Sequence, residues 1–353
     1  MSKVAFFYCC GTVSTTADFS DASGLEYNQP GTGSEDFSVI PGLNGLTALW
    51  NGAPTYDPFP MLLDPEIFEP RKKIAYKASS TGFTGYFLNP ELRTMGQSIE
   101  DGITKVVAEI TSLPAGQKFM LGGFSQGAAV MSGCYQLGLK PGTTGVLESY
   151  RDRFLGYTGF GNPRRQVNYR GSVGGTWSGA FDIPGSTTGG HGSFPSTGPY
   201  ARLTNCEPLK WIDFANEGDI ITSVGDSAQG QGWVAGNNVF LGTATATDWL
   251  TYLASLPVIA AAVTASMSFA NGVVPNVYDA VGNLIAISGM GHVTYPLVPP
   301  PGNPDNNLTS YQIAIKFLTA KANEYAVAPI VLPSLPSAPS SAGWSTTLIP
   351  PAA

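Results

Sequence analysis

Residues 118 to 137 read KFMLGGFSQGAAVMSGCYQL, and this stretch constrains the fold more than any other part of the chain. An apolar run of strand length passes through Gly-x-Ser-x-Gly, at Gly123, Ser125 and Gly127, into a helical pattern that runs from Ser125 to about Leu137, with Gly138 and Pro141 beyond it. Strand, sharp turn and helix follow one another here, and the rest of the chain repeats the alternation. Strands are expected at Val4 to Cys9, Lys73 to Ala78, Lys118 to Gly122, Phe154 to Phe160 and Trp211 to Ala215. Between the second and third, Ile99, Ile103, Val106, Val107 and Ile110 recur at helical spacing, which predicts a helix over Met95 to Leu113, with Ser98 and Asp101 as a capping box. Such alternation specifies an α/β fold, a mostly parallel five-stranded central sheet flanked by helices.

Composition narrows the function. With 18 basic against 25 acidic residues and a net charge of -7, the chain has the wrong sign for tracking nucleic acid phosphates. Its two histidines, His191 and His292, and four cysteines without CxxC spacing leave a zinc site short of ligands, and neither metal nor cofactor is expected. The opening MSKVAFFYCCGTVS reads as a first strand, not as a signal peptide, and the thiols read as structural ones in a reducing cytoplasm. Trp249 to Tyr278 holds no charged residue, yet Pro257 and scattered Thr and Ser interrupt it, so no transmembrane segment is expected.

The serine motif carries the chemistry. Glycines on either side of Ser125 let neighbouring backbone approach a strained turn and leave the hydroxyl exposed. The same turn aims a helix N-terminus, with the Gln126 amide, at an oxygen that becomes negative during acyl transfer. A serine hydroxyl needs a base, and the base needs a carboxylate. In α/β-hydrolases these follow the serine in the order acid, then histidine. That order selects His292, in SGMGHVTYP after a strand expected at Asn283 to Ile287, over His191, which reads as a solvent-exposed or locally bonded histidine in a glycine-rich loop. For the acid, LKWIDFANEGDIITSV runs a strand into a loop that carries Glu217 and Asp219. Asp219 is chosen over Asp213 within the strand and over Asp226, Asp248 and Asp279 farther on, its bland alternative being a residue that turns the loop. The second oxyanion donor is expected in the loop after the first strand, where Thr12 follows Gly11.

Four motifs then coincide with a known family. GFSQGA at 123–128, GNPRR at 161–165, ANEGD at 215–219 and GHVTY at 291–295 resemble, in order, the corresponding segments of the lysin B proteins of mycobacteriophages, which are cutinase-like α/β-hydrolases. The resemblance spans roughly residues 3 to 325. It implies a catalytic triad of Ser125, Asp219 and His292 and a serine esterase that cleaves the ester joining mycolic acids to arabinogalactan, acting at the host envelope at lysis. It further implies a helical insertion, here about 240–280, that meets lipid or packs as a buried helical subdomain. Cutinase-like domains also occur in phage structural proteins, which keeps a virion-associated or minor tail module, with phage tail proteins as partners, as the alternative. The chain departs from the family at Asn216-Glu217-Gly218, where Asn-Pro-Gly is frequent, and in a long insertion at 17–70.

The organisation expected is one hydrolase domain over 1–326 and a Pro- and Ser-rich extended tail over 327–353. Gly171 to Pro199 reads as a surface loop. Asn162 and Pro163 of GNPRR are expected to shape a turn, and Arg164 and Arg165 to form salt bridges or face solvent.

Overall fold

The computed structural model describes residues 3–11, 59–74, 76, 94–167, 190–207, 209–215, 219, 221–222, 224, 228–248, 250–254, 295 and 308–326. Five strands, β1 (Val4–Cys9), β2 (Phe68–Lys73), β3 (Phe119–Phe124), β4 (Phe154–Phe160) and β5 (Trp211–Phe214), form one sheet in the order β2-β1-β3-β4-β5, and every pairing is parallel. Helices α1 (Met95–Ser112), α2 (Gln126–Cys134), α3 (Ala228–Leu241) and α4 (Ser310–Ala326) accompany it.

A parallel strand inside such a sheet is covered on both faces, and β1 shows it: Val4, Phe6 and Tyr8 enter one core while Ala5, Phe7 and Cys9 enter the other. The first core joins Ile99, Val106 and Ile110 of α1 with Ala129, Val130 and Met131 of α2, together with Tyr157 and Trp211, whose rings stack at 3.6 Å. The second joins Tyr311, Ile315 and Leu318 of α4 with Phe59, Phe160 and Phe214. The result is the three-layered, doubly wound α/β arrangement expected from the alternation of elements. The order reverses between β1 and β3, whose carboxyl ends therefore flank a crevice.

Strands β1 and β4 have the bounds the sequence predicts, and β3 runs two residues further, to Phe124. The second strand is corrected: it occupies Phe68–Lys73, not Lys73 to Ala78, and so begins inside the stretch assigned to the insertion. It is an edge strand bonded to β1 alone, and an edge tolerates the Pro70 and charged residues that a central strand would exclude. The cap of α1 is corrected as well. Thr94 accepts from the Gln97 N–H at 3.1 Å, Gln97 reaches back to the Thr94 N–H at 3.0 Å, and Ser98 is buried inside the first turns. The strand expected at 283–287 and the tail at 327–353 lie outside the described residues. So does most of the 240–280 insertion, of which residues 246–248 and 250–254 are helical. No described helix is long and apolar enough to cross a membrane.

Candidate active site

Ser125 stands between the end of β3 and the start of α2 with φ 54° and ψ −123°. Among the described residues only Ser125 and Asn205 are non-glycine with positive φ. Its backbone is fixed on both sides: the N–H donates to Phe160 O at 2.8 Å, and the carbonyl accepts from Ala128 N at 3.0 Å and Ala129 N at 3.2 Å. A strained conformation persists only where surrounding bonds overdetermine it.

Glycine is required at two points around this turn. A Cβ on Gly127 would lie 2.0 Å from Cys9 O and 2.4 Å from Cys10 O, so only glycine lets the first turn of α2 press against the end of β1. A Cβ on Gly11 would lie 2.9 Å from both Ser125 Cβ and the Phe124 ring. The serine turn and the segment after β1 are thereby in contact at the crevice where the strand order reverses. Gln126 opens α2 and is buried, at the end of a helix where N–H groups attract negative charge. Thr12 lies outside the described residues.

A third strand end closes this side of the crevice. Tyr76, just past β2, is buried, and its hydroxyl donates to Cys10 O at 2.7 Å with Gln126 Oε1 at 3.3 Å. Burial holds this phenol, and the thiol of Cys9 beside it, well above their usual ranges. None of the four cysteines is in a disulfide, and all are buried.

Asp219 is fully buried in the loop beyond β5. Its Oδ1 accepts from the Ile221 N–H at 2.8 Å, which turns the loop, while Oδ2 accepts from the Tyr295 hydroxyl at 2.6 Å. The Tyr295 ring packs edge-on to Phe124, the neighbour of Ser125, at 6.3 Å and against Phe160 at 6.0 Å. Acid loop and serine turn thus share one aromatic contact. His292, three residues before Tyr295, lies outside the described residues, as does Glu217.

The walls of the acid loop come from two motifs read differently in the sequence. Arg164 and Arg165 do not face solvent: both are buried, Arg164 donating to Ala201 O at 2.9 Å and Arg165 to Thr222 O at 2.6 Å. Desolvation lowers both guanidinium pKa values, that of Arg164 to about 10, while Asp213, Tyr295 and Asp219 favour the charged form of Arg165. They act as donors to backbone carbonyls, an architectural role that carbonyl acceptors fill as well as carboxylates do. His191 is likewise buried, not solvent-exposed. Its backbone pairs with Val224 in both directions, at 2.9 and 2.8 Å, Ser193 N donates to Ile221 O at 2.8 Å, and its Nδ1 lies 2.7 Å from Gly192 O and meets the Arg202 guanidinium. Residues 191–194, assigned from sequence to a surface loop, are buried as a brace for the chain after Asp219.

Asp213, set aside as a strand residue, is a second buried carboxylate. It accepts from Trp211 Nε1 at 2.8 Å and Asn162 Nδ2 at 3.1 Å, and burial raises its pKa to about 6 in spite of those donors. Asn162 in turn accepts from the Arg164 N–H at 2.9 Å, so GNPRR does shape the turn after β4. Tyr76 had no signal in the sequence, and although Tyr295 and Arg165 close the motifs GHVTY and GNPRR, nothing in those motifs gave the contacts they make. Each is defined by a partner 50 or more positions away.

No protein-family model matches the chain, and neither does any curated protein. Among solved structures, lysin B from Mycobacteriophage D29 aligns with 90% of this chain and 99% of its own, at 17% identity and a TM-score of 0.43. A cutinase-like protein from Cryptococcus sp. aligns with 72% of this chain and 95% of its own, at 16% identity and a TM-score of 0.33. The catalytic core domain of acetyl xylan esterase from Trichoderma reesei aligns with 69% and 99%, at 15% identity and a TM-score of 0.32. These are distant likenesses.

Proposed function

We propose that the chain is a serine esterase that hydrolyses lipid esters by two-step acyl transfer. The observation that carries this reading is the backbone of Ser125, a non-glycine residue held at φ 54° on a strand-to-helix turn at the crevice of a parallel sheet. Ser125 Oγ attacks the ester carbonyl as His292 takes its proton, and the oxyanion forms at the N-terminus of α2 beside the Gln126 amide, with Thr12 as second donor. His292 then returns the proton to the leaving alcohol, and water repeats the sequence on the acyl-enzyme. Asp219 orients His292 and stabilises its charged form. A tether supports the pairing, because three residues of chain reach at most about 11 Å and Tyr295 is bonded to Asp219.

Apolar surface supports a lipid substrate. Leu250 and Leu253, three apart on a helix within the 240–280 insertion, are 70% and 52% exposed. By the ordered motifs GFSQGA, GNPRR, ANEGD and GHVTY, the ester is that of mycolic acids on arabinogalactan, cut at the mycobacterial envelope during phage lysis.

The test is hydrolysis of p-nitrophenyl esters of graded chain length, and release of mycolic acid from mycolyl-arabinogalactan, by the wild type and by Ser125→Ala. Turnover should fall at least about a thousandfold in the variant on every substrate. Equal rates for the two proteins would overturn the esterase reading. Short-ester activity without mycolate release would overturn only the substrate.

A further inference from the structure

The fully buried Asp219 carboxylate is held at both oxygens: Ile221 N donates to Oδ1 at 2.8 Å within the turn, and the Tyr295 hydroxyl, 76 residues on, donates to Oδ2 at 2.6 Å. We propose that Tyr295 is a positioning residue that fixes the rotamer and the charge distribution of the Asp219 carboxylate. The inference rests on Asp219 being the catalytic acid.

Three observations converge on it. A 2.6 Å O–H···O contact to a carboxylate has the length of a charge-assisted bond, about twice as strong as a neutral one. The phenol is itself immobile, fully buried with its ring against Phe124 and Phe160, so the donor is delivered from a fixed point that also packs beside Ser125. The same carboxylate stands near Arg165, a buried cation whose charged form Asp213, Tyr295 and Asp219 favour and whose Nε donates to Thr222 O at 2.6 Å. The tyrosine thereby ties the acid, the serine turn and the segment that follows His292 into one unit. Without the hydroxyl, Oδ2 loses the bond from Tyr295, and the carboxylate is held less firmly about its side-chain torsions.

A mutant cycle on the full-length chain tests this with p-nitrophenyl butyrate. Tyr295→Phe should lower kcat at least about tenfold with KM within about twofold, whereas in the Asp219→Asn background the same change should cost less than about twofold. A merely structural tyrosine would cost the same factor in both backgrounds, and that result, or an unaffected kcat in Tyr295→Phe, overturns the proposal. Should Tyr295→Phe not fold, 3-fluorotyrosine at 295 keeps ring and hydroxyl. Its more acidic phenol draws charge from Asp219, weakens the hold on the protonated histidine and moves the acid limb of kcat/KM to lower pH. An unmoved limb overturns the proposal. The parent reading fails separately: Asp219→Asn with wild-type turnover would remove Asp219 as the acid and the clamp with it, whereas a crippled Asp219→Asn beside an unaffected Tyr295→Phe removes the clamp alone.

Discussion

Replacing Ser125 by glycine should abolish esterase turnover and make the protein more stable than replacing it by alanine. The reason lies in φ 54° and ψ −123°, a conformation that costs a residue with a Cβ about 1–3 kcal/mol and costs glycine almost nothing. Glycine gives back about 0.5–1 kcal/mol because its unfolded chain is freer. The backbone bonds that hold the turn, Ser125 N to Phe160 O and Ala128 N to Ser125 O, are the same in both variants, and both lose the hydroxyl. The difference left is about 1 kcal/mol in favour of glycine, or roughly 1–2 °C in melting temperature for a chain of 353 residues. Differential scanning calorimetry of Ser125→Gly and Ser125→Ala at one pH and scan rate reads it directly, with p-nitrophenyl butyrate hydrolysis as the check that both are inactive. Glycine melting at or below alanine would mean that the turn stores no strain and that the serine is not held as a nucleophile is.

Three other perturbations have defined outcomes. Gly127→Ala forces a Cβ within 2.0 Å of a backbone carbonyl, so it should destabilise by about 3 kcal/mol or more and remove activity with it, measured by thermal melting and turnover together. Asp213 has a folded pKa of about 6 against about 3.9 unfolded, so its contribution to stability is complete below pH 4 and declines as pH rises to 6 and beyond; the melting temperature of Asp213→Asn relative to wild type should therefore climb between pH 4 and 7, by an amount equivalent to about 3 kcal/mol at most. His292→Ala should lower turnover by orders of magnitude, while His191→Ala, which removes a buried ring from the brace beside Val224, should lower the melting temperature more than kcat; the reverse pattern would exchange the roles of the two histidines.

What could be read in the chain before its fold was local or periodic. Val4 to Cys9 and Phe154 to Phe160 are apolar and β-branched or aromatic in runs of strand length, and the Ile99 to Ile110 spacing can only put one face of a helix on a core. The serine turn is legible for the same reason, since Gly123, Ser125 and Gly127 make a tight strand-to-helix turn that few other residues allow. Residues whose roles depend on distant partners were not legible. Phe68–Lys73, with its proline and charges, becomes a strand because β1 lends it bonds along one edge. Arg164 and Arg165 are buried because carbonyls of residues 37 and 57 positions away accept their protons, and a charge can leave water only where such acceptors are already waiting. Asp219 is chosen from sequence by its place after a strand, but what surrounds it, the Tyr295 hydroxyl 76 residues on and the His191 brace at Val224, was decided by tertiary packing alone, because a hydrogen bond across the core leaves no period, motif or composition in the chain that makes it.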